Sequence, residues 1–320
     1  MTWCYSAHPR KHVKTEAQFF VGRTSLMEFN YEPPSAPSTL YHSNAVDIKG
    51  SYLIPCKKPW NFMIRGVVKM KRDEIHIRDP FVLVDNGSYY LLGTTGDDPW
   101  GKASDLTLYS STDLQEFKRE CTLVTDGSLD SYTNIWAPEL HKYKGKYYLI
   151  FSAFREDVGR GSFIYFSESL FAGFTALTGE YITPRDWECL DATLFVYQNK
   201  PYLCFSDEWV DTVTGDGDGS LFICELSDDL THRVSKPRKI ISGKYNGITG
   251  ESRNGDIVGY IAEGPYLYEE NGNIVLLWST YTETGYTVVK SVSRSGIYGE
   301  YVFEKIVFRK DGGHCMCYTD

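Results

Sequence analysis

Four stretches of the chain share one pattern of apolar and polar positions. They are Asp79-Pro80-Phe81-Val82-Leu83-Val84-Asp85-Asn86-Gly87-Ser88-Tyr89-Tyr90-Leu91, Ala137-Pro138-Glu139-Leu140-His141-Lys142-Tyr143-Lys144-Gly145-Lys146-Tyr147-Tyr148-Leu149, Asp191-Ala192-Thr193-Leu194-Phe195-Val196-Tyr197-Gln198-Asn199-Lys200-Pro201-Tyr202-Leu203 and Gly264-Pro265-Tyr266-Leu267-Tyr268-Glu269-Glu270-Asn271-Gly272-Asn273-Ile274-Val275-Leu276. Each reads as a short apolar strand, a turn carrying Gly or Asn, and a second strand rich in aromatic or β-branched residues, which predicts a repeated β-hairpin. A second signature follows in every copy: Ser111-Thr112-Asp113-Leu114, Ser167-Glu168-Ser169-Leu170, Ser227-Asp228-Asp229-Leu230 and Ser293-Arg294-Ser295-Gly296. An apolar strand stands just upstream of each, so every unit holds at least three strands with room for a fourth.

The copies recur at intervals of roughly fifty to seventy residues. An antiparallel sheet of three or four strands is too small to stand alone and buries its faces against neighbouring copies, so the pattern predicts the blades of a β-propeller. A fifth unit begins at Gly312-Gly313-His314 and the chain stops at Asp320. The expected fold is all-β over residues 70–320, either a propeller of four blades and a tail or a five-bladed β-propeller with blade five incomplete. Residues 1–69 have little periodicity and scattered Pro and Ser, and are expected to be a poorly ordered or spurious leader.

With 33 basic against 42 acidic residues in 320, the chain has a formal charge of −9, which argues against nucleic acid or an anionic membrane as partner. The charge is uneven, the leader being basic and the repeats acidic. No apolar run is long enough for a membrane span, and the first thirty residues lack the apolar centre of a secretory signal. The expected location is the cytoplasm. The eight cysteines form no disulfide framework and several lie inside apolar runs, as reduced core residues do. Cys315 and Cys317 are too close together for the usual zinc pair and have no second half.

In a propeller the first strand of each blade lines the central channel, so residues just before the repeated Pro or Ala converge on one axis. Asp79, Asp191 and, one position earlier, Glu263 occupy that place. Taken singly, Asp79 could pair with Arg78, Asp191 could cap a turn and Glu263 could be a solvated loop residue. Their shared phase points instead to one channel mouth, where like charges raise one another's pKa. Glycoside cleavage uses such a set: an acid for the leaving oxygen and a base for the attacking water. Trp136 reads as a sugar-stacking platform or core, Glu139 and His141 as blade packing or surface, and Asp216-Gly217-Asp218-Gly219 as a hairpin tip without a full calcium-ligand set.

Arg78-Asp79-Pro80, Trp136-Ala137-Pro138-Glu139, Leu190-Asp191-Ala192-Thr193-Leu194-Phe195, Glu263-Gly264-Pro265 and Gly312-Gly313-His314 resemble, in order, the blade motifs of glycoside hydrolase family 43. The resemblance covers residues 74–320. It implies an inverting hydrolase of plant-wall pentosides, namely α-L-arabinofuranosides, β-xylosides or arabinan, with an oligosaccharide or small glycoside as partner. It also implies Asp79 as general base, Asp191 as pKa modulator, Glu263 as general acid, Trp136 and His314 as substrate-binding residues, and no cofactor for the chemistry, with a structural calcium near His314. Two other readings compete with it. Another five-bladed enzyme, a fructan hydrolase or mannoside phosphorylase, fits the architecture, though Glu263-Gly264 does not match the Glu-Cys pair of fructan enzymes. A non-catalytic carbohydrate-binding propeller fragment fits the early stop.

Overall fold

The computed structural model describes residues 2–5, 18–21, 25–28, 69–95, 103, 105–210, 217–244, 248, 250–254, 257–283, 285–309 and 312–318. In chain order the strands open with β1 (Thr2–Tyr5), β2 (Gln18–Val21), β3 (Ser25–Glu28) and β4 (Lys69–Lys71). The first blade follows with β5 (Arg78–Asp85), β6 (Ser88–Thr94), β7 (Thr107–Ser111) and β8 (Glu116–Thr122). The second is β9 (Thr133–Tyr143), β10 (Lys146–Arg155), β11 (Gly159–Ser167) and β12 (Thr175–Ala176). The third is β13 (Cys189–Tyr197), β14 (Lys200–Asp207), β15 (Ser220–Glu225) and β16 (Arg238–Ser242). A small hairpin, β17 (Ser252–Asn254) and β18 (Ile257–Gly259), precedes the fourth blade of β19 (Glu263–Glu270), β20 (Asn273–Thr282), β21 (Gly285–Ser293) and β22 (Val302–Phe308). The last strand is β23 (Gly313–Cys317).

The chain is an all-β propeller. Each blade is an antiparallel meander with its first strand innermost, as in the order β9, β10, β11, β12, and β4 adds a fifth, outermost strand to the first blade. The hairpin turns form where the repeat predicts them. Asn86 and Gly87, Lys144 and Gly145, Gln198 and Asn199, and Asn271 and Gly272 all have positive φ at both positions, as the tight turn of a twisted hairpin requires. Ser111 ends its strand by accepting the N–H of Leu114 on its Oγ at 2.8 Å, with Leu114 turned left-handed.

Burial follows from stacking. The second strands β10, β14 and β20 are buried on both faces because a neighbouring blade covers each, whereas outer β22 is mostly exposed. Apolar clusters sit between successive blades. Leu91, Leu108 and Phe117 meet Leu140, Leu149 and Phe151; Ile150 and Ile164 meet Leu203 and Phe205; Cys204 and Ile223 meet Leu276 and Trp278. Cys121, Cys189, Cys204, Cys224, Cys315 and Cys317 are free thiols.

The incomplete fifth blade is not confirmed. Strand β23 pairs with β1, which pairs with β2, and β2 with β3, giving a further four-stranded sheet in the order β23, β1, β2, β3. The leader, whose pattern predicts no strand, supplies these three. Its remaining residues up to Val68 lie outside the described part of the chain, as do Asp216 and the rest of that loop back to residue 211. The expected boundary at residue 69 falls within β4.

Candidate active site

At the inner end of each of the four blades, and again on β23, the chain takes the same unusual conformation. Asp79, Ala137, Asp191, Gly264 and His314 have φ of 49°, 46°, 54°, 57° and 47°, and at each the pairing with the neighbouring strand is interrupted. A bulge of this kind re-aims a side chain, here toward the channel mouth. Left-handed backbone costs energy for residues other than Gly, so something else must hold it.

At Ala137, Asp191 and His314 what holds it is a hydroxyl on the previous blade. Thr94, Ser152, Ser206 and Ser279 each stand fifteen residues after Asp79, Ala137, Asp191 and Gly264. Thr94 Oγ1 accepts the N–H of Ala137 at 2.8 Å, Ser152 Oγ that of Asp191 at 2.9 Å, and Ser279 Oγ that of His314 at 2.7 Å. Ser206 turns the other way and donates to the Ala262 carbonyl at 2.7 Å. These bonds fasten each blade to the next at the depth where the functional side chains project.

The five residues singled out in the sequence, Asp79, Trp136, Asp191, Glu263 and His314, line one cavity together with Arg78. Thr94 donates its hydroxyl proton to Asp79 Oδ2 at 2.7 Å, which leaves Oδ1 facing His314 Nδ1 at 3.8 Å. Asp191 Oδ2 accepts the Gly264 N–H at 3.0 Å and lies 3.5 Å from the same His314 nitrogen. Gly264 is needed there: its φ is positive, and a Cβ would stand 3.0 Å from His314 Cα. Trp136 has the Arg160 guanidinium 4.1 Å from its ring centroid and that of Arg78 at 5.8 Å. One of its faces is therefore engaged by a cation rather than open to sugar.

Charge in the cavity is arranged in opposition. Burial raises the Glu263 carboxyl, the Asp191 charge raises it further, and despite the Tyr286 hydroxyl hydrogen-bonded to it, it stands at about 8. Glu263 is thus a neutral acid at pH 7. Burial alone would pull His314 down, but Asp191, and after it Asp79, outweigh that and lift the imidazole to about 10. It is a fixed cation shared by two carboxylates. The ring nitrogen that meets Asp79 and Asp191 is a proton donor, and among the described residues no three His, Cys, Asp or Glu side chains are grouped to hold a metal ion.

Sequence reasoning missed further wall residues: Glu208, Trp209, Tyr281 and Tyr286. Burial raises the Glu208 carboxyl, against the opposing pull of Arg160, whose Nε is 3.1 Å from Glu208 Oε2. The third repeat carries these in Asp207-Glu208-Trp209 just past its second strand, a run with no counterpart in the other copies to mark it. Glu139, expected in packing or on the surface, is buried with His141 Nε2 2.7 Å from its carboxylate.

Residues 74–311 match the description "Glycosyl hydrolases family 43". This chain belongs to glycosyl hydrolase family 43. An extracellular exo-alpha-(1->5)-L-arabinofuranosidase of Streptomyces chartreusis is 32% identical over 47% of this chain and 44% of the relative. A probable arabinan endo-1,5-alpha-L-arabinosidase C of Aspergillus niger is 28% identical over 65% of this chain and 60% of the relative. The chain thus spans about half the length of these curated family relatives. Among solved structures, an endo-arabinase from Bacteroides thetaiotaomicron VPI-5482 is similar with a TM-score of 0.71 at 29% identity, covering 78% of this chain and 88% of that one. The Streptomyces protein being named extracellular, the cytoplasmic expectation for this family 43 member is not supported. Among the described residues no helix is long and apolar enough to cross a membrane.

Proposed function

We propose that this chain hydrolyses plant-wall pentosides with inversion, and that its preferred substrates are α-L-arabinofuranosides and arabinan, ahead of β-xylosides. The relatives named above for arabinan support that order. The observation that carries the reaction is Glu263, an acid kept protonated near neutral pH in the same cavity as Asp79. Asp79 takes a proton from water as the water oxygen bonds to the anomeric carbon. Glu263 gives its proton to the glycosidic oxygen as the bond from that oxygen to the anomeric carbon breaks. Asp191 holds the Glu263 pKa up through its charge and, with His314, fixes the geometry between blades three and four. The His314 imidazole stands 3.8 Å from Asp79 Oδ1, the oxygen that Thr94 leaves open to accept the proton. Protons exchanged with solvent then reset both carboxyls. We also read the sheet led by β23 as a fifth blade, so that the ring has five.

The test is an assay of purified protein on nitrophenyl α-L-arabinofuranoside, nitrophenyl β-xyloside and arabinan, with NMR of the first-formed anomer. Glu263→Gln is expected to lose about 10²–10⁴-fold on arabinan and far less on the activated nitrophenyl glycoside, which needs little protonation. Asp79→Asn should lose a similar factor on both. The hydrolysis needs no cofactor in this reading, so dialysis against EDTA should leave the rate unchanged. Retention of configuration, or equal losses for both variants on every substrate, would sink the assignment.

A further inference from the structure

Tyr286 opens the buried part of β21 and stands across the sheet from Tyr281, the two rings 5.0 Å apart. Its hydroxyl donates to Oε1 of Glu263. The ring reaches that place because the chain beside it has no side chain. A Cβ on Gly313 would collide with the Tyr286 ring, and the Gly312 N–H donates to the Tyr286 carbonyl at 2.9 Å. Both glycines of Gly312-Gly313-His314 therefore bear on Tyr286, while His314 bears on Asp79 and Asp191.

We propose that Tyr286 is the positioning residue of the general acid, fixing which carboxyl oxygen of Glu263 carries the transferable proton. This rests on Glu263 being the acid. The carbonyl oxygen of a neutral carboxyl is a better acceptor than its hydroxyl oxygen, so a phenol O–H donating to Oε1 favours Oε1 as the carbonyl oxygen and the proton on Oε2. As the proton leaves for the glycosidic oxygen, negative charge grows on Glu263, and the Tyr286 hydrogen bond strengthens. No bond of Tyr286 is made or broken; it keeps its own proton throughout, and burial together with the Glu263 charge holds the phenol well above its ordinary range. The other charged groups influencing Glu263 are Asp191 on β13, Glu208 just past β14 and His314 on β23.

Tyr286→Phe tests this, since it removes one oxygen and keeps the ring that Gly313 accommodates. The loss in kcat should be about 10- to 100-fold on arabinan and small on the nitrophenyl glycoside, because only the former needs full protonation. The alkaline limb of the kcat/KM profile should move to higher pH, since the ionised form of Glu263 loses a donor. Carbon-13 NMR titration of the Glu263 carboxyl should show the same upward shift without reference to turnover. A merely structural role would lower both substrates alike and leave limb and titration in place, and that result would overturn the proposal. Glu263→Gln is measured alongside. If it keeps full activity on arabinan, the acid assignment falls and the proposal with it; if it loses activity while Tyr286→Phe changes nothing, only the role of Tyr286 falls.

Discussion

Glu263 and His314 both hold protons more tightly in the fold than free side chains do, and this gives the protein a pH signature of known sign. Glu263 moves from an ordinary 4.5 to about 8 and His314 from 6.5 to about 10. Between the ordinary and raised values the native state binds more protons than the unfolded chain, so stability falls as pH rises. The His314 contribution is complete below 6.5 and is lost as pH passes through about 10; the Glu263 carboxyl opposes the fold increasingly from 4.5 up to about 8. Melting temperature is therefore expected to decline from pH 5 to pH 10, and Glu263→Gln to flatten the lower part of that decline. A wild-type melting temperature that rises between pH 6 and pH 8 would contradict the arrangement of charges. Activity should share the upper boundary: kcat/KM is expected to fall above about pH 8 as Glu263 ionises.

At the scale of elements, the repeat was legible because hairpin turns leave marks that no other structure needs. Asn86-Gly87 and Asn271-Gly272 announce two residues of positive φ between apolar runs. The carboxylates were legible for a related reason, since they stand at fixed phase to the Pro or Ala that opens each inner strand. The hydroxyls of Thr94, Ser152 and Ser279 share that phase as fully, yet Ser and Thr are common enough in strands that the spacing gains meaning only once the blades are seen side by side. Tyr286 left no mark at all, because its role depends on Gly313 from another sheet. The hydroxyl bonds make a direct prediction. Ser152→Ala leaves the buried Asp191 N–H without its acceptor, which should cost about 1–3 kcal/mol of stability. Because the bond also fixes Asp191, kcat should fall too. Ser162→Ala is the control: that buried hydroxyl on β11 lies 3.3 Å from Ser152 Oγ but does not receive the Asp191 N–H. Denaturant unfolding and kinetics of both variants check this, and equal behaviour would remove the special role of the latch.

For the molecule as a whole, the decisive contact is the one between the two ends of the described chain. Strand β23 carries His314, packs Cys315 into the cluster of Val275, Leu277 and Val288, and places Met316 Sδ 3.0 Å from the Val82 backbone nitrogen of the first blade. It thus touches both the fourth blade and the first. Its outward hydrogen-bonding edge is covered by β1, through pairs such as Trp3 with Met316 and Thr2 with Cys317. This was hidden in the sequence because β1, β2 and β3 are four residues each, too short for an alternating pattern to stand out. Deleting residues 1–28 would strip β23 of that partner and leave an exposed strand edge beside the cavity. The truncated protein is expected to melt at lower temperature and to bind a hydrophobic dye. It should also lose activity out of proportion to the material unfolded, because His314 and its bonds to Ser279, Asp79 and Asp191 depend on where β23 lies. Were the truncated chain as stable and as active as the whole one, the N-terminal strands would have no part in holding β23 in place.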